Sequence, residues 1–317
     1  MSPEVPHPIL VVGSVALDDI RTPFGAVQEA FGGSATHFAL AARFFAPVRL
    51  VAVVGTDLDP AHLAGLRARG IDTGGVEIAD GKTFRWGGEY GFDLNARATL
   101  FTHLNVFEGF DPRVPDAFRR SPYVFLGNIH PALQERVLQQ VEPPCFVALD
   151  TMNLWIETAR DALLAVLPRV DLLVLNDSEA RELAGEPNLV RAGRRLLELG
   201  PTSVVIKKGE HGALLLREGD IFASPALPIE DVCDPTGAGD AFAGGVLGTL
   251  AASTEPIHVA LRQAIAMGTV IASFAVQDFG TRGLDKVTPS GIEQRLRELR
   301  LLTQFGSSPS LEATRAR

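Results

Sequence analysis

The sequence predicts an α/β protein of the three-layer α/β/α type, in which helices cover both faces of a doubly wound, mostly parallel sheet. Short apolar runs alternate along the chain with segments of helical spacing, and most of these runs are apolar throughout. Continuous apolar runs are typical of strands that are buried on both faces, and strand–helix alternation is typical of doubly wound sheets. A third observation, period-2 patterning within 82–110, predicts a small inserted β lid.

Six apolar runs are predicted to be buried strands, at 8–15, 48–55, 123–129, 145–151, 171–176 and 203–209. The intervening segments of helical spacing lie at 34–45, 131–141, 157–167, 178–185 and 189–200. Ligands of doubly wound sheets bind at the carboxyl ends of the strands. Functional residues are therefore expected in the loops that follow these strands.

Residues 82–110 interrupt the alternation of strands and helices. They contain a Gly-Gly pair, and side chains 100, 102, 104 and 106 share one face while 101, 103, 105 and 107 share the other. This pattern predicts antiparallel strands that form a flap or lid. An ordinary hairpin that extends the edge of the main sheet would show the same pattern.

Length and composition predict one large α/β domain over 1–304, followed by a flexible tail at 305–317. Of 317 residues, 46% are hydrophobic and 21% are charged, and the net charge of −9 argues against nucleic-acid or membrane-surface partners. Cys145 and Cys233 form neither a disulfide framework nor a metal motif. No apolar run approaches the roughly 20 residues of a membrane span, and no signal peptide is recognised, so a cytoplasmic location is expected.

The segment DPTGAGDA at 234–241 joins an apolar run to an Ala/Gly-rich helical segment. Gly237 and Gly239 allow close approach of the backbone to a ligand, and a helix that begins near Ala238 would offer unpaired N–H groups to an anion. A carboxylate at Asp240 would repel that anion unless the carboxylate accepts a proton, as it would from a hydroxyl that attacks a phosphoryl group. The alternative is an Asp that only complements the helix dipole.

This segment is neither a P-loop nor a dinucleotide fingerprint, because GxxxxGK[ST] is absent and Phe242 replaces the third glycine of GxGxxG. DPTGAGDAFAGG instead resembles the C-terminal signature of the ribokinase/PfkB family of carbohydrate and nucleoside kinases. Further segments resemble that family in the family's own order, at 11–18, 31–44, 175–180 and 205–215. The resemblance implies the ribokinase-like fold and covers nearly the whole chain, including the lid.

The resemblance also implies a role for each residue that matches a family motif. Asp240 would be the catalytic base, and Gly237, Ala238 and Gly239 would supply the anion hole. The residues expected to bind the phosphoryl acceptor come from the first strand, the glycine loop and the lid: Asp18, Gly32, Gly33, His37, Arg85 and Trp86, with Glu89 and Tyr90 as further lid candidates. Packing under the lid is the alternative for His37.

ATP and Mg²⁺ are the cofactors that the resemblance implies. Asn176 and Glu179 would order Mg²⁺ through water, although the same pair could simply cap a helix. The nucleotide-binding residues would be Asn176, Lys207, Gly209, Gly212 and Thr236. A solvated lysine at a strand end is the alternative for Lys207. Asp234 matches a position near a K⁺ site in some family members, so K⁺ is a further candidate.

These expectations converge on an ATP-dependent phosphotransferase that phosphorylates a hydroxyl, expected to be primary, of a small sugar. A nucleoside is the alternative acceptor, because Ala16 and His37 stand where many sugar-specific relatives have asparagine, and the His37 ring could stack on a base. A non-catalytic sensor of sugar or nucleotide is a second alternative, which the intact Asp240 disfavours. The lid could also join two chains into a homodimer.

Overall fold

The structure, a computed structural model, describes residues 6–304, so the predicted tail at 305–317 lies outside the described residues. The strands in this range are β1 Ile9–Val12, β2 Ala16–Thr22, β3 Gly25–Gly32, β4 Val48–Gly55, β5 Ile71–Ala79, β6 Phe84–Tyr90, β7 Arg97–His103, β8 Tyr123–Leu126, β9 Phe146–Asp150, β10 Leu172–Asn176, β11 Ser203–Lys207, β12 Ala213–Arg217 and β13 Asp220–Ser224.

The α-helices are α1 Ser34–Ala42, α2 Pro60–Ala68, α3 Pro131–Gln140, α4 Asn153–Thr158, α5 Arg160–Val166, α6 Asp177–Ala184, α7 Leu189–Leu197, α8 Ala238–Ala252, α9 Ile257–Ala275, α10 Arg282–Asp285 and α11 Pro289–Leu302. All five segments that were predicted to be helical contain helix. The segment at 157–167 divides between the end of α4 and α5.

Nine strands form the main sheet in the order β13-β12-β11-β10-β9-β8-β1-β4-β5. The strands from β11 to β5 pair in parallel, whereas β12 and β13 pair antiparallel at one edge. Alternate residues of β1 enter opposite hydrophobic clusters, with Val11 in one and Val12 in the other. The predicted three-layer fold with a doubly wound, mostly parallel sheet is therefore confirmed.

Helix α8 lies against α1 and α9, and small residues permit the close approach. A Cβ on Gly244 would lie 2.5 Å from the Phe38 carbonyl oxygen in α1, and one on Gly245 would lie 2.9 Å from the Cα of Gly268 in α9. This packing fixes the direction of α8, and therefore the place where its N-terminus meets the sheet edge.

Helix α9 corrects one expectation from the sequence. It is long and apolar enough to cross a membrane by length and composition, although no such run was expected. It packs against α8 and α11, and 56% of its most apolar window is buried inside the protein. Burial in the core accounts for its apolar composition without a membrane.

The lid is a separate four-stranded sheet in the order β3-β2-β6-β7. The predicted inserted strands are present as β6 and β7, but β2 and β3 come from residues 16–32, for which no lid strand was predicted. Strands β6 and β7 pair antiparallel as predicted, whereas β2 pairs with β6 in parallel. Because the lid is its own sheet, it does not extend the edge of the main sheet.

Two local expectations within these strands were wrong. Asp18 does not end the first strand, because β1 stops at Val12 and Asp18 lies within β2 of the lid. The alternation predicted for 100–107 stops at His103, and residues Asn105–Gly109 form a 3-10 turn in which Asn105 has a φ of 53°. Strand β5, which follows α2, was not predicted.

Candidate active site

The turn before α8 places its glycines as the sequence predicts. Gly237 is the N-cap residue of α8 with a φ of 73°, and no side chain caps the helix. The Ala238 N–H donates to the Pro235 carbonyl oxygen at 3.2 Å, whereas the N–H groups of Gly237 and Gly239 donate to no backbone acceptor among residues 6–304. Ala238 therefore closes the turn instead of facing an anion, and two amides of the expected three are open to a ligand.

Asp240 lies half-buried in the first turn of α8. Burial raises the pKa of its carboxyl to about 7, and the charge of Asp150 raises it further, while Lys207 and Arg97 oppose this shift. An Asp that only complements the helix dipole would be more acidic than usual. A carboxyl with a pKa near neutrality is suited to accept a proton at physiological pH.

Lys207 at the end of β11 forms a buried ion pair with Asp150 at the end of β9. The two charged groups are 3.2 Å apart, and the lysine side chain is 18% exposed. A Cβ on Gly239 would lie 2.9 Å from the Lys207 Nζ, so the ammonium group sits directly beside the open turn. Burial works to lower the pKa of Lys207, but Asp150, Glu179 and Asp240 together raise it. Lys207 is therefore a held cation and not a solvated strand end.

Asn176 and Glu179 form a complete capping box at the start of α6. The Glu179 N–H donates to Asn176 Oδ1 at 2.8 Å, and the Asn176 N–H donates to Glu179 Oε2 at 2.7 Å. Burial raises the pKa of the Glu179 carboxyl to about 7, an effect that Lys207 opposes. The capping interaction is therefore present. It also fixes the buried Glu179 carboxylate in the first turn of α6, next to the end of β10.

Gly209 and Gly212 flank the turn between β11 and β12 with φ values of 53° and 83°. A Cβ on Gly212 would lie 2.0 Å from the Ser224 carbonyl oxygen, so Gly212 is required for the packing of this turn. A Cβ on Gly209 would lie 2.2 Å from Oδ1 of Asn95, which is in the loop between β6 and β7. The tip of the lid therefore rests on the side of the site where the nucleotide is expected.

Asp18, Gly32 and His37 come together beside Gly237, whereas Lys207 lies beside Gly239 of the same turn. A Cβ on Gly32 would lie 2.2 Å from Asp18 Oδ2 and 3.4 Å from the His37 ring. Burial raises the pKa of the Asp18 carboxyl to about 8, with the charges of Asp234 and Asp240 adding to the effect. Hydroxyl groups that donate to this carboxylate would restore its charged form.

The His37 ring packs between the two glycine loops. Its Nδ1 donates to the Gly33 carbonyl oxygen at 3.0 Å, and a Cβ on Gly237 would lie 2.2 Å from the ring. The side chain is 1% exposed, and its buried Nε2 has no hydrogen-bond partner within the described chain. Burial lowers the pKa of His37, so the ring is neutral. With its faces packed, His37 is not placed to stack on a substrate, and the packing alternative describes it better.

Asp234 and Thr236 tie the turn before α8 to its surroundings. The fully buried Asp234 carboxylate accepts from the Thr236 N–H at 2.8 Å and from the Gly280 N–H at 3.0 Å. The Thr236 hydroxyl donates to the Tyr90 hydroxyl of the lid at 3.0 Å. The Thr236 hydroxyl thus contacts the lid, and its expected contact with the nucleotide stays a prediction.

The inner and outer faces of the lid separate its candidate residues. Trp86 pairs in register with Asp18, and Tyr90 pairs with Arg97, so these four side chains share the inner face. Arg85 lies on the other face and forms ion pairs with Glu29 and, at 3.2 Å, with Asp57. The charge of Arg85 joins β6 to β3 and to the loop after β4, and binding of the acceptor by Arg85 stays a prediction that its position on the outer face does not favour. Glu89 shares that outer face and is exposed.

Two charged residues of the site had no predicted role. Asp150 fixes Lys207, and Arg97 lies over the Trp86 ring at 5.3 Å from its centroid. Asp150 could have been found because a polar residue ends a predicted buried strand. Arg97 has no such signal, since its position depends on the pairing of β7 with β6.

Comparison with known proteins gives consistent results. A family model described as pfkB family carbohydrate kinase matches residues 9–287. A cytidine kinase of Thermococcus kodakarensis is 32% identical over 245 residues, which cover 75% of this chain and 87% of that protein. The structure of a Methanocaldococcus jannaschii nucleoside kinase matches with a TM-score of 0.73 at 19% identity, over 92% of this chain and 98% of that one. A ribokinase II of E. coli, determined with ATP and Mg²⁺, matches with a TM-score of 0.75 at 19% identity, over 92% and 99% of the two chains.

Proposed function

The chain belongs to the pfkB family of carbohydrate kinases, and from this premise we propose how its residues transfer a phosphoryl group from ATP to a hydroxyl. The observation that supports the assignment of roles is the meeting of Asp240, the open amides of Gly237 and Gly239, and the Lys207 ammonium at one sheet edge. A proton acceptor and anion-stabilising donors are the two elements that this reaction requires. We propose that the main sheet and the lid act together as one catalytic unit.

The Asp240 carboxylate accepts the proton of the acceptor hydroxyl. The hydroxyl oxygen forms a bond to the γ-phosphorus as the bond from that phosphorus to the bridging oxygen breaks, and ADP leaves. The amides of Gly237 and Gly239 and the Lys207 ammonium stabilise the negative charge on the transferred group. Because Lys207 is already held by Asp150, little reorganisation is needed when the charge develops.

Mg²⁺ fits the residues on the nucleotide side of the cleft. The described residues contain no group of three or more His, Cys, Asp or Glu side chains that could hold a metal ion by themselves. Mg²⁺ is commonly held by one or two carboxylates together with water and substrate phosphates. The buried Glu179 carboxylate is the group that would order this ion and its water, and the ion would neutralise the phosphates.

The acceptor that we propose is the ribosyl hydroxyl of a nucleoside, with a free sugar as the second candidate. The cytidine kinase aligns with 75% of this chain, and the inner face of the lid places the Trp86 ring next to Asp18. A carboxylate can hold two sugar hydroxyls while an adjacent aromatic face packs on a base. A nucleoside and a free sugar would both present a sugar hydroxyl to Asp240, so the proposed reaction is the same for either acceptor.

A panel of acceptors tests this proposal directly. ADP release from Mg·ATP is measured with cytidine, other nucleosides, ribose and fructose, each in K⁺ and in Na⁺ buffers. We expect stimulation by at least one nucleoside and a weaker response to free sugars. Stimulation by free sugars alone would contradict the nucleoside proposal, and bound ATP without ADP release for any acceptor would favour a sensor.

The comparison of K⁺ with Na⁺ buffer tests whether the enzyme uses a monovalent cation. The Asp234 carboxylate is fully buried with two N–H donors, and burial raises its pKa. A monovalent cation beside Asp234 would balance this charge, so we propose that K⁺ increases turnover. Equal rates in the two buffers would contradict this role.

We further propose a cytoplasmic enzyme that forms a homodimer through the outer face of the lid. That face exposes Leu100 (47%), which lines a cavity of about 420 Å³, and the adjoining turn between β2 and β3 exposes Phe24 (63%). Sedimentation of the wild type and of Leu100→Glu tests this, since a charge on a buried contact should dissociate the dimer. A monomeric wild type would contradict it.

A further inference from the structure

We propose that Arg97, on the inner face of the lid, places a guanidinium group against the transferring phosphoryl group when the lid is closed. This inference rests on the proposed phosphotransferase function and adds a residue from outside the family motifs considered above. It assigns the lid a chemical role in addition to the exclusion of water.

Three contacts of the β6–β7 hairpin bracket Arg97 over the cleft. Its neighbour across the strands, Tyr90, receives a hydrogen bond of 3.0 Å from Thr236 in the turn before α8. The loop residue Asn95, two positions before Arg97, lies against Gly209 on the nucleotide side. On the acceptor side, the guanidinium group lies 5.3 Å from the centroid of the Trp86 ring. Arg97 therefore lies on the lid hairpin between the proposed nucleotide and acceptor sides of the site.

The charges around Arg97 indicate what it binds. The positive charge of Arg97 also opposes the burial-driven rise in the pKa of Asp240, the proposed base. This agrees with the three hairpin contacts, which place Arg97 near the proposed path of the γ-phosphoryl group. Unlike Arg85, Arg97 makes no ion pair of 4.0 Å or less with any residue in the described part of the chain.

A guanidinium group suits this place for chemical reasons. Its planar array of donors matches the geometry of phosphoryl oxygens, and it stacks on aromatic rings, as Arg97 does on Trp86. Lys207 supplies a point charge from the edge of the main sheet, where its ion pair with Asp150 holds it in place. Arg97 would add a second cation from above, present only when the lid is closed, so that closure and charge stabilisation coincide.

The test compares a transition-state analogue with the product. Affinities for Mg·ADP and for Mg·ADP with aluminium fluoride are measured by calorimetry for the wild type, Arg97→Ala and Arg97→Lys. If Arg97 contacts the transferring group, Arg97→Ala should bind the aluminium fluoride complex about 10- to 100-fold more weakly, as expected for loss of a charge-assisted hydrogen bond, with little change for Mg·ADP. Arg21→Ala, an exposed arginine on the outer face of the lid, is the matched control and should bind both probes normally.

Chemical rescue supplies a second measurement. Guanidinium ion added to Arg97→Gly should restore part of the affinity for the aluminium fluoride complex, whereas a purely structural role would give no rescue and equal losses for both probes. Equal losses, or normal binding of both probes by Arg97→Ala, would overturn the proposal while leaving the phosphotransferase function intact. A wild type that binds neither probe would overturn both.

Discussion

At the scale of single residues, the site is defined by buried carboxyl groups that are costly to ionise. Burial raises the pKa of Asp18 to about 8 and of Glu179 and Asp240 to about 7. Each of these groups belongs to the proposed site, where acceptor hydroxyls, Mg²⁺ and a transferable proton are expected. Ionising these carboxyl groups is costly in the folded protein, and the ligands would relieve that cost.

The raised pKa of Asp18 leads to a prediction about stability. In the folded protein the Asp18 carboxyl has a pKa of about 8, whereas in the unfolded chain its pKa is near the ordinary value of 3.8. The unfolded state then binds fewer protons over this range, so the free energy of unfolding falls as the pH rises. Asn at this position removes the effect. Asp18→Asn should be more stable than the wild type at pH 8, with a Tm higher by about 2 °C or more, and less so at pH 5.

Thermal unfolding of both proteins at pH 5 and pH 8 measures this difference. Asp19→Asn is a suitable control, because the neighbouring carboxylate accepts from the Glu29 N–H at 2.9 Å and an amide oxygen can do the same. The difference in Tm between Asp18→Asn and the wild type should grow with pH. If it does not, ionisation of Asp18 does not destabilise the folded protein, and the prediction is wrong. Acceptor binding should be lost in the same variant.

At the scale of secondary-structure elements, the lid is joined to the catalytic turn by one hydrogen bond. The Thr236 hydroxyl donates to the Tyr90 hydroxyl, and both residues lie next to groups that are proposed to act in catalysis. Tyr90→Phe removes this contact and keeps the ring. A neutral hydrogen bond contributes about 0.5–1.5 kcal/mol, so we expect kcat/KM to fall about 2- to 13-fold, mostly through the KM of the acceptor.

The chain provides a matched control for this substitution. Its only other tyrosine, Tyr123, donates to the Leu250 carbonyl oxygen at 3.3 Å, in the core and away from the cleft. Steady-state kinetics of Tyr123→Phe should match those of the wild type. If the two variants lose activity equally, or if Tyr90→Phe loses none, the lid contact does not contribute to catalysis.

The elements that the sequence predicted well are those buried on both faces. Strand β4 has the predicted bounds of 48–55, because every position from Leu50 to Gly55 is buried and the apolar run is continuous. Strands β2 and β3 were missed because Asp, Arg, Gln and Glu interrupt their apolar pattern, and most of β3 is accessible to solvent. Their signal is a turn at Pro23-Phe24-Gly25 between two segments of mixed polarity.

At the scale of the whole molecule, the site is an assembly of segments that are distant in sequence. The motif residues Asp18, Lys207 and Asp240 could be predicted to converge, because each matches a motif that is placed at the ligand edge of the sheet. Contacts that depend on tertiary pairing could not be predicted. The Tyr90–Thr236 hydrogen bond spans 146 residues, and the Lys207–Asp150 ion pair spans 57.

The molecule as a whole can be described as a rigid sheet edge beneath a lid. Asp150, Lys207 and α8 are fixed by the core, whereas Tyr90, Asn95 and Arg97 approach from the lid hairpin. Such a division separates the groups that must be preorganised from those that must admit substrate. Because the site is divided between the edge of the main sheet and the lid hairpin, no single sequence motif contains all of its residues.

The turnover of Asp240→Asn tests the central claim most directly. Asp161→Asn is its matched control, because Asp161 also occupies the first turn of a helix but is exposed. With the best acceptor at pH 8, we expect Asp240→Asn to lower kcat by about 10²- to 10⁴-fold while the affinity for Mg·ATP is retained, and Asp161→Asn to leave both unchanged. In the wild type, whose base has a pKa of about 7, kcat/KM should rise with pH up to about that value. Near-normal turnover by Asp240→Asn, with the same pH profile as the wild type, would contradict the account.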